Sequence, residues 1–460
     1  MIAQRTSGPH LQFLGGTDTV TGSKFLIRTG EQRVLVDSGL FQGRESIEAR
    51  NWQDVGPDPA TLDAVVLTHG HLDHSGYLPR LNRLGFRGPV YGTAPTLDVA
   101  SIIVRDSASI HEWEARERAG KAGAGDTSVD PLYTTDDAFG VIDRFEPRAE
   151  ATWHQITRDI SYRHRRAGHI LGATFLEMNV AGRRLTFSGD LGRLSDPLME
   201  APETPGDTDL LVLESTYGNR CHVSYRVPKL LERYVRETID RRGSVLIPSF
   251  AVERSQHVMW LLHTLREQDR IPDVPMYLDT PMGIDVSGLF YDYPEWHKLT
   301  LKQWRETFDQ FIPVENADYT KSIVEKRNPK IVIAGSGMVT GGRIMAYLEK
   351  HLTDPDSLLL LVGYQAENTR GRALKEGAEH VEFHGTPVPV RVRVETLAGL
   401  SAHGDQRELM NWCNRMPDTP EQTYLVHGDP ASREVLGDAL SEERNMNVRL
   451  PEHRESVALT

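Results

Sequence analysis

Leu67-Thr68-His69-Gly70-His71-Leu72-Asp73-His74 packs three imidazoles and one carboxylate into six positions, directly after the apolar run Ala64-Val65-Val66-Leu67. The run reads as a short buried strand, so the residues behind it leave the sheet at its edge, where successive side chains can converge. His69 and His71, two apart, point the same way while the chain stays extended. Asp73 and His74 lie one turn onward and can face a second point a few ångströms away. Neutral imidazole and carboxylate are the ligands that zinc accepts when it keeps an open coordination position. Most of the chain's 18 histidines should be surface or satisfied core residues. Four ligand-type side chains in six positions nevertheless make a metal site the reading to build on.

The spacing His-x-His-x-Asp-His behind a buried strand resembles the signature of the metallo-β-lactamase fold. That resemblance implies an α/β protein with an αββα sandwich, and further ligands in a set order. Asp37 ends Val34-Leu35-Val36 and precedes Ser38-Gly39, His169 sits in Gly168-His169-Ile170-Leu171-Gly172-Ala173, and Asp190 ends Leu185-Thr186-Phe187-Ser188-Gly189. Each is a polar residue at the carboxyl end of an expected strand beside a glycine, where a loop can bring it to a shared edge.

The chain then continues for well over two hundred residues, with Leu213-Glu214-Ser215-Thr216, Ser401-Ala402-His403-Gly404-Asp405 and Val426-His427-Gly428-Asp429. These resemble motifs A, B and C of the β-CASP nucleases, and the likeness spans nearly the whole chain. RNA-acting members of that branch have histidine in motif C where DNA crosslink-repair members usually have valine, so His427 favours RNA. Many relatives have glycine where this chain has Ala402, which would cost on the order of 1 kcal/mol if the position needed a positive φ. The expectation is that it does not. With a first strand near residue 10 and about thirty residues after motif C, the likeness is to the compact bacterial form, catalytic domain plus clamp.

The resemblance implies residues 1–208 and 394–460 as the metallo-β-lactamase catalytic domain, and 209–393 as an inserted, doubly wound α/β (β-CASP) clamp. The rhythm of the insert agrees: Ser244-Val245-Leu246-Ile247-Pro248, Met276-Tyr277-Leu278, Ile331-Val332-Ile333-Ala334 and Leu358-Leu359-Leu360-Leu361-Val362 read as buried parallel strands. An interrupting insert puts the expected cleft between the two parts. Pro95 to Arg118 reads as a long helix, followed by the glycine-rich surface loop Ala119 to Asp126.

On the same resemblance His69, His71 and His169 hold one zinc, Asp73, His74 and His427 hold another, and Asp190 bridges them. Asp37 is placed behind the ligands, fixing their loop by hydrogen bonds. Two metals about 3.5–4 Å apart can lower the pKa of a shared water from 15.7 toward roughly 7, supplying a hydroxide for in-line attack on phosphorus. Asp73, Asp190, His403 and Glu214 are the catalytic candidates. His403 suits the general acid for the leaving 3′-oxygen, oriented by Glu214. That last pairing comes from the resemblance alone, since the two residues are far apart in sequence. Ser336, Gly337, Gly341 and Gly342, behind one strand, and Ser249 and Arg254, behind another, resemble family segments that face the RNA backbone. Free amides at such turns favour anions.

Composition fits a soluble cytoplasmic enzyme. No apolar run approaches the length of a membrane span and Met1-Ile2-Ala3-Gln4-Arg5-Thr6 has no signal-peptide core. Two cysteines, Cys221 and Cys413, read as free thiols. A net charge of −13 implies modest, salt-sensitive affinity for a polyanion. The cluster Arg163-His164-Arg165-Arg166 reads more naturally as a solvated strand face than as a lining of the approach to the metals. The function implied is a zinc-dependent ribonuclease acting on single-stranded RNA by internal cleavage, with 5′-exonucleolytic action as a second mode. Two other classes stay open: a hydrolase of DNA or a small-molecule ester, and a non-catalytic RNA-binding paralogue. Manganese suits the same N and O ligands, and a homodimer is suggested by analogy only.

Overall fold

Along the strand Lys24–Thr29 successive side chains serve opposite faces. Phe25 and Ile27 join a core with Phe13, Val34, Leu176, Phe187, Val212 and Tyr424, whereas Leu26 joins another with Leu35, Val65, Leu78, Leu97 and Val104. The first core lies between two sheets and the second lies under helices, which is a sandwich with helices outside. The computed structural model describes residues 8–54, 56–122, 130–222, 226–383 and 385–459. It divides into Met1–Cys221 with His403–Thr460, and His222–Ala402.

In the first unit, one seven-stranded sheet has the spatial order Ser456–Ala458, His10–Gly15, Lys24–Thr29, Gln32–Val36, Ala64–Val66, Val90–Gly92, Phe145–Pro147. The other runs Val448–Arg449, Gln422–Val426, Leu210–Glu214, Arg183–Phe187, Thr174–Val180, Ile160–Arg166, His154–Thr157. Leu210–Glu214 pairs in parallel with Arg183–Phe187 and with Gln422–Val426. That strand therefore belongs to the sandwich, and the first unit runs to Cys221 rather than to 208. Hydrogen bonding within a sheet, which a linear reading of the insert could not see, sets the difference.

The long helix spans Ala94–Ala122. Residues 119–122 of the expected glycine-rich loop extend it, and 123–126 lie outside the described residues. On Ile160–Arg166, Arg163 pairs with Glu177, Arg165 with Glu203 and Arg166 with Glu150, so this strand's cations are matched by carboxylates. Cys221 and Cys413 are both free thiols. No helix among the described residues is long and apolar enough to cross a membrane.

In the second unit a six-stranded sheet has the order Phe311–Pro313, Met276–Asp279, Lys330–Ala334, Ser244–Pro248, Leu358–Leu361, Arg393–Thr396. Every pairing in it is parallel. The four inner strands are buried along their length, as sheets covered on both faces require. Leu246, Val332 and Leu359 pack under Ile344, Tyr347 and Leu348. Ala402, at the end of this unit, is not among the residues with positive φ, so its Cβ carries no backbone penalty.

Candidate metal centre

Parallel pairing of Ala64–Val66 between Gln32–Val36 and Val90–Gly92 ends three strands at one edge, and the histidine motif leaves the sheet there. Two glycines permit the close approach. A Cβ on Gly70 would lie 2.9 Å from the Ala100 backbone nitrogen, and one on Gly39 only 1.6 Å from the Asp73 carbonyl oxygen. Main-chain hydrogen bonds then tie the Asp37 loop to the short helix Leu72–Ser75: Ser38 N–H donates to the His74 carbonyl, Leu40 to Leu72, and Ser23 to Asp73. The buried Lys24 amine, which burial drives down to about 7, donates to the Gly39 carbonyl and braces the same loop.

Two four-residue clusters share Asp190. His69, His71, His169 and Asp190 form one, and Asp73, His74, Asp190 and His427 form the other, with one potential ligand atom per residue and all of these within 4.8 Å of one another in each group. In the first, His71 Nδ1 lies 3.2 Å from His69 Nε2 and 3.2 Å from His169 Nε2. A tetrahedral zinc with Zn–N near 2.0–2.1 Å holds its nitrogens about 3.3 Å apart, so the spacing fits the ion. In the second, His427 Nε2 is 3.1 Å from Asp73 Oδ2, and His74 Nε2 is 3.3 Å from Asp190 Oδ1. The Asp190 carboxylate is buried and neither oxygen accepts a hydrogen bond. Its Oδ2 faces His69 at 3.4 Å and its Oδ1 faces His427 at 3.5 Å. An anion buried without donors is costly, and a cation on each side would satisfy both oxygens.

Behind the ligands, Asp37 accepts from Thr68 N–H at 2.7 Å and from Thr68 Oγ1 at 2.8 Å, and meets His74 Nδ1 at 2.8 Å. Such contacts fix a histidine's tautomer and orientation. Thr68 Oγ1 lies 3.1 Å from His69 Nδ1, and Thr216 Oγ1 lies 3.0 Å from His427 Nδ1. The sequence reading passed over both threonines, though each sits within two residues of a motif residue. His427 itself takes φ 50°, with its N–H on the Gly16 carbonyl at 2.6 Å.

Glu214 and His403 meet beside the clusters. His403 Nδ1 lies 3.3 Å from Glu214 Oε2 and 3.8 Å from Asp190 Oδ2. Glu214 is held by Leu191 N–H at 2.6 Å and accepts nothing from solvent, being fully buried. An isolated β-bridge between Gly192 and His403 brings motif B to this edge. Burial pulls the His403 imidazole down, but Glu214 and Asp190 outweigh it and raise it to about 9.

The six residues expected to face a phosphate backbone lie in the second unit. Ser249 is buried, its hydroxyl donating to the Phe250 carbonyl, and Arg254 donates to the Val362 carbonyl. Gly337 is buried, Ser336 and Gly341 are half-buried, and Gly342 is exposed. The helix behind them begins only at Ile344, so their amides form a turn rather than a helix N-terminus.

Protonation distinguishes the two clusters. Burial holds the His69 and His71 imidazoles below their ordinary value, ready as neutral ligands. At His74 burial acts the same way, but Asp190 and Asp37 outweigh it and raise the imidazole well above. A metal at the Asp73/His74/His427 cluster must therefore displace a proton, and its affinity should fall about tenfold per pH unit on acidification. Zinc titration against a chromophoric chelator from pH 9 to 6 should show affinity falling as His74 takes up its proton, and affinity unchanged over that range would contradict this.

Three family descriptions match the chain: the metallo-β-lactamase superfamily over residues 18–86, the β-CASP domain over 255–374, and the Zn-dependent metallo-hydrolase RNA specificity domain over 387–451. The ribonuclease TTHA0252 of Thermus thermophilus is 36% identical over 96% of this chain and 98% of its own. The RNase J-like protein of Methanocaldococcus jannaschii is 31% identical over 91% and 92%, respectively. The transcription termination factor FttA of Pyrococcus abyssi is 31% identical over 97% of this chain and 70% of its own. A solved protein of unknown function from Enterococcus faecalis shares the fold, with a TM-score of 0.56 at 14% identity over 98% of this chain and 100% of that one. Fold and matches together define a metal-dependent hydrolase. More narrowly, the chain belongs to the β-CASP branch of the metallo-β-lactamase superfamily.

Proposed function

We propose that the protein is a zinc-dependent ribonuclease that hydrolyses phosphodiester bonds of single-stranded RNA by internal cleavage. The observation that carries this reading is the pair of four-residue clusters joined at Asp190, with the Glu214–His403 pair alongside. The names of two relatives, one a ribonuclease and one an RNase J-like protein, support RNA as the substrate. His69, His71 and His169 would hold one ion, Asp73, His74 and His427 a second, with Asp190 between them. Bound zinc supplies Lewis acidity and lowers the pKa of water toward roughly 7.

The chain's own residues do the rest. Asp37 and Thr68 keep His74 and His69 in ligating orientation. Glu214 engages His403 Nδ1, so Nε2 is the atom that delivers a proton. Water adds to the scissile phosphorus, the bond from phosphorus to the 3′-oxygen breaks, and His403 protonates that oxygen. The products are a 5′-phosphate and a 3′-hydroxyl.

The test is zinc-loaded protein on a single-stranded RNA labelled at either end, beside a DNA of the same sequence. Internal RNA fragments carrying 5′-phosphates are expected, with DNA left intact. Stepwise shortening from the 5′ end would replace internal cleavage by exonuclease action, and equal cutting of DNA would overturn the substrate assignment.

A further inference from the structure

Parallel pairing brings the carboxyl ends of Lys330–Ala334, Ser244–Pro248 and Leu358–Leu361 side by side in the second unit, and three loops leave that edge together. Two of the loops are strained: Glu253 and Val339 take φ of 64° and 58° without being glycine, whereas Asn368, at 63° in the third, is a residue type that accepts this region readily. Among the described residues, the unit's other such residues, Arg242 and Asp269, follow helices, where a left-handed residue is ordinary. Val339 is β-branched, for which this region is a true outlier. Glu253 centres a turn closed by the Arg254 N–H on the Val252 carbonyl at 2.8 Å, the rare positive-φ form of the γ-turn. Such strain persists only where surroundings enforce it, and it gathers at ligand clamps.

The surroundings enforce it by cross-ties. Gln365 Nε2 donates to the Gly337 carbonyl at 2.9 Å and to the Gly363 carbonyl at 3.2 Å. Gly371 N–H reaches the Met338 carbonyl at 3.1 Å, Arg370 reaches that of Thr340 at 3.2 Å, and Arg254 reaches that of Val362. All three loops are thereby fixed as one rim before any ligand arrives.

Two large aromatic side chains stand exposed on this rim, Phe250 at 37% and Tyr364 at 53%. Phe250 is not a stray surface residue. Its ring lies against two of the loops at once: a Cβ on Gly337 would come within 2.9 Å of ring atom Cδ2, and one on Gly363 within 3.0 Å of Cε2. Glycine in both places lets the ring rest on backbone, held while still partly open to solvent. Tyr364 follows Gly363 directly, in the loop leaving the neighbouring strand, about 4.8 Å away in a sheet.

We propose that Phe250 and Tyr364 form a stacking platform for bases of single-stranded RNA. The inference rests on the ribonuclease reading and adds to it the part of the substrate that the metal centre does not read. Stacking engages ring faces, which form no hydrogen bonds to base edges, and every base has a π-face, so the platform holds unpaired strand with little sequence preference. A duplex, whose bases are already stacked on each other, gains nothing there.

The experiment measures KM, kcat and the Kd of a labelled oligoribonucleotide for zinc-loaded wild type, Phe250→Ala, Tyr364→Ala and Phe250→Trp. Matched oligonucleotides contain bases or abasic sites. Each alanine variant should raise Kd and KM about tenfold, with the loss falling in KM rather than kcat, and Phe250→Trp should restore binding. Abasic RNA should bind wild type as weakly as normal RNA binds the variants. If Phe250→Ala does not fold, Tyr364→Ala alone decides, because that side chain is more than half exposed. Wild-type KM in the variants, or an equal loss on abasic RNA, would sink the platform while leaving the ribonuclease reading intact. Wild type that neither binds nor cuts RNA would remove both.

Discussion

Asp190→Ala should lose bound metal and slow cleavage by about 10⁴-fold or more. No other side chain belongs to both ligand clusters, and its two oxygens face opposite histidines at 3.4 and 3.5 Å. Removing it unlinks the clusters and takes away the buried anion that faces His69, His74, His169 and His427 together. Asp190→Asn separates chemistry from packing, since the amide keeps the shape but not the charge. It should fail almost as badly, while its thermal unfolding stays closer to wild type. Metal content by elemental analysis and single-turnover rates on labelled RNA check both variants. Full metal content with a near-normal rate would show that the two clusters do not act as one centre.

Asp190 was legible in the sequence because a strand, a glycine and an acid stand together at residues 185–190, and the histidine motif was legible for the same local reason. Strand ends are short-range features that residue order alone reveals. The meeting of Glu214 with His403, 189 positions apart, is not short-range. It follows from the parallel pairing of Leu210–Glu214 with Gln422–Val426 and from the bridge at Gly192, and only the resemblance to known nucleases suggested it. The same pairing moved the end of the first unit from 208 to Cys221. Gly335, Gly337, Gly341 and Gly342 mark a turn behind Ala334 in the sequence, but not how far it runs before a helix begins. The helix waits until Ile344, and the intervening backbone is shaped by Gln365 and Arg370 from the next loop. Strain at Glu253 and Val339 could not be read from those residue types, since neither asks for a positive φ.

His403→Ala should lower kcat by roughly 10²- to 10⁴-fold, the usual worth of a positioned general acid, while metal stays bound. The imidazole sits nearer to Glu214, at 3.3 Å, than to Asp190, at 3.8 Å, which is the arrangement of an oriented acid. Its pH behaviour follows from sign. Burial lowers the imidazole, Glu214 and Asp190 raise it further, and the result is about 9, so the acid form is present at neutral pH and is lost as pH rises. Bound cations next to Asp190 would shift that loss toward lower pH, since they oppose a second positive charge. Wild-type kcat should therefore fall on the alkaline side, and His403→Ala should lack that limb. A substrate whose scissile 3′-oxygen is replaced by sulfur gives the sharper test. A thiolate, with a parent pKa near 8.5, leaves without protonation, so this substrate should bring the variant back to within about tenfold of wild type. If sulfur does not rescue and the variant has lost metal, His403 is a ligand and the proton comes from elsewhere. Rescue with metal retained would assign the leaving-group proton to His403 Nε2, and would make Glu214, through Nδ1, the residue that keeps it aimed.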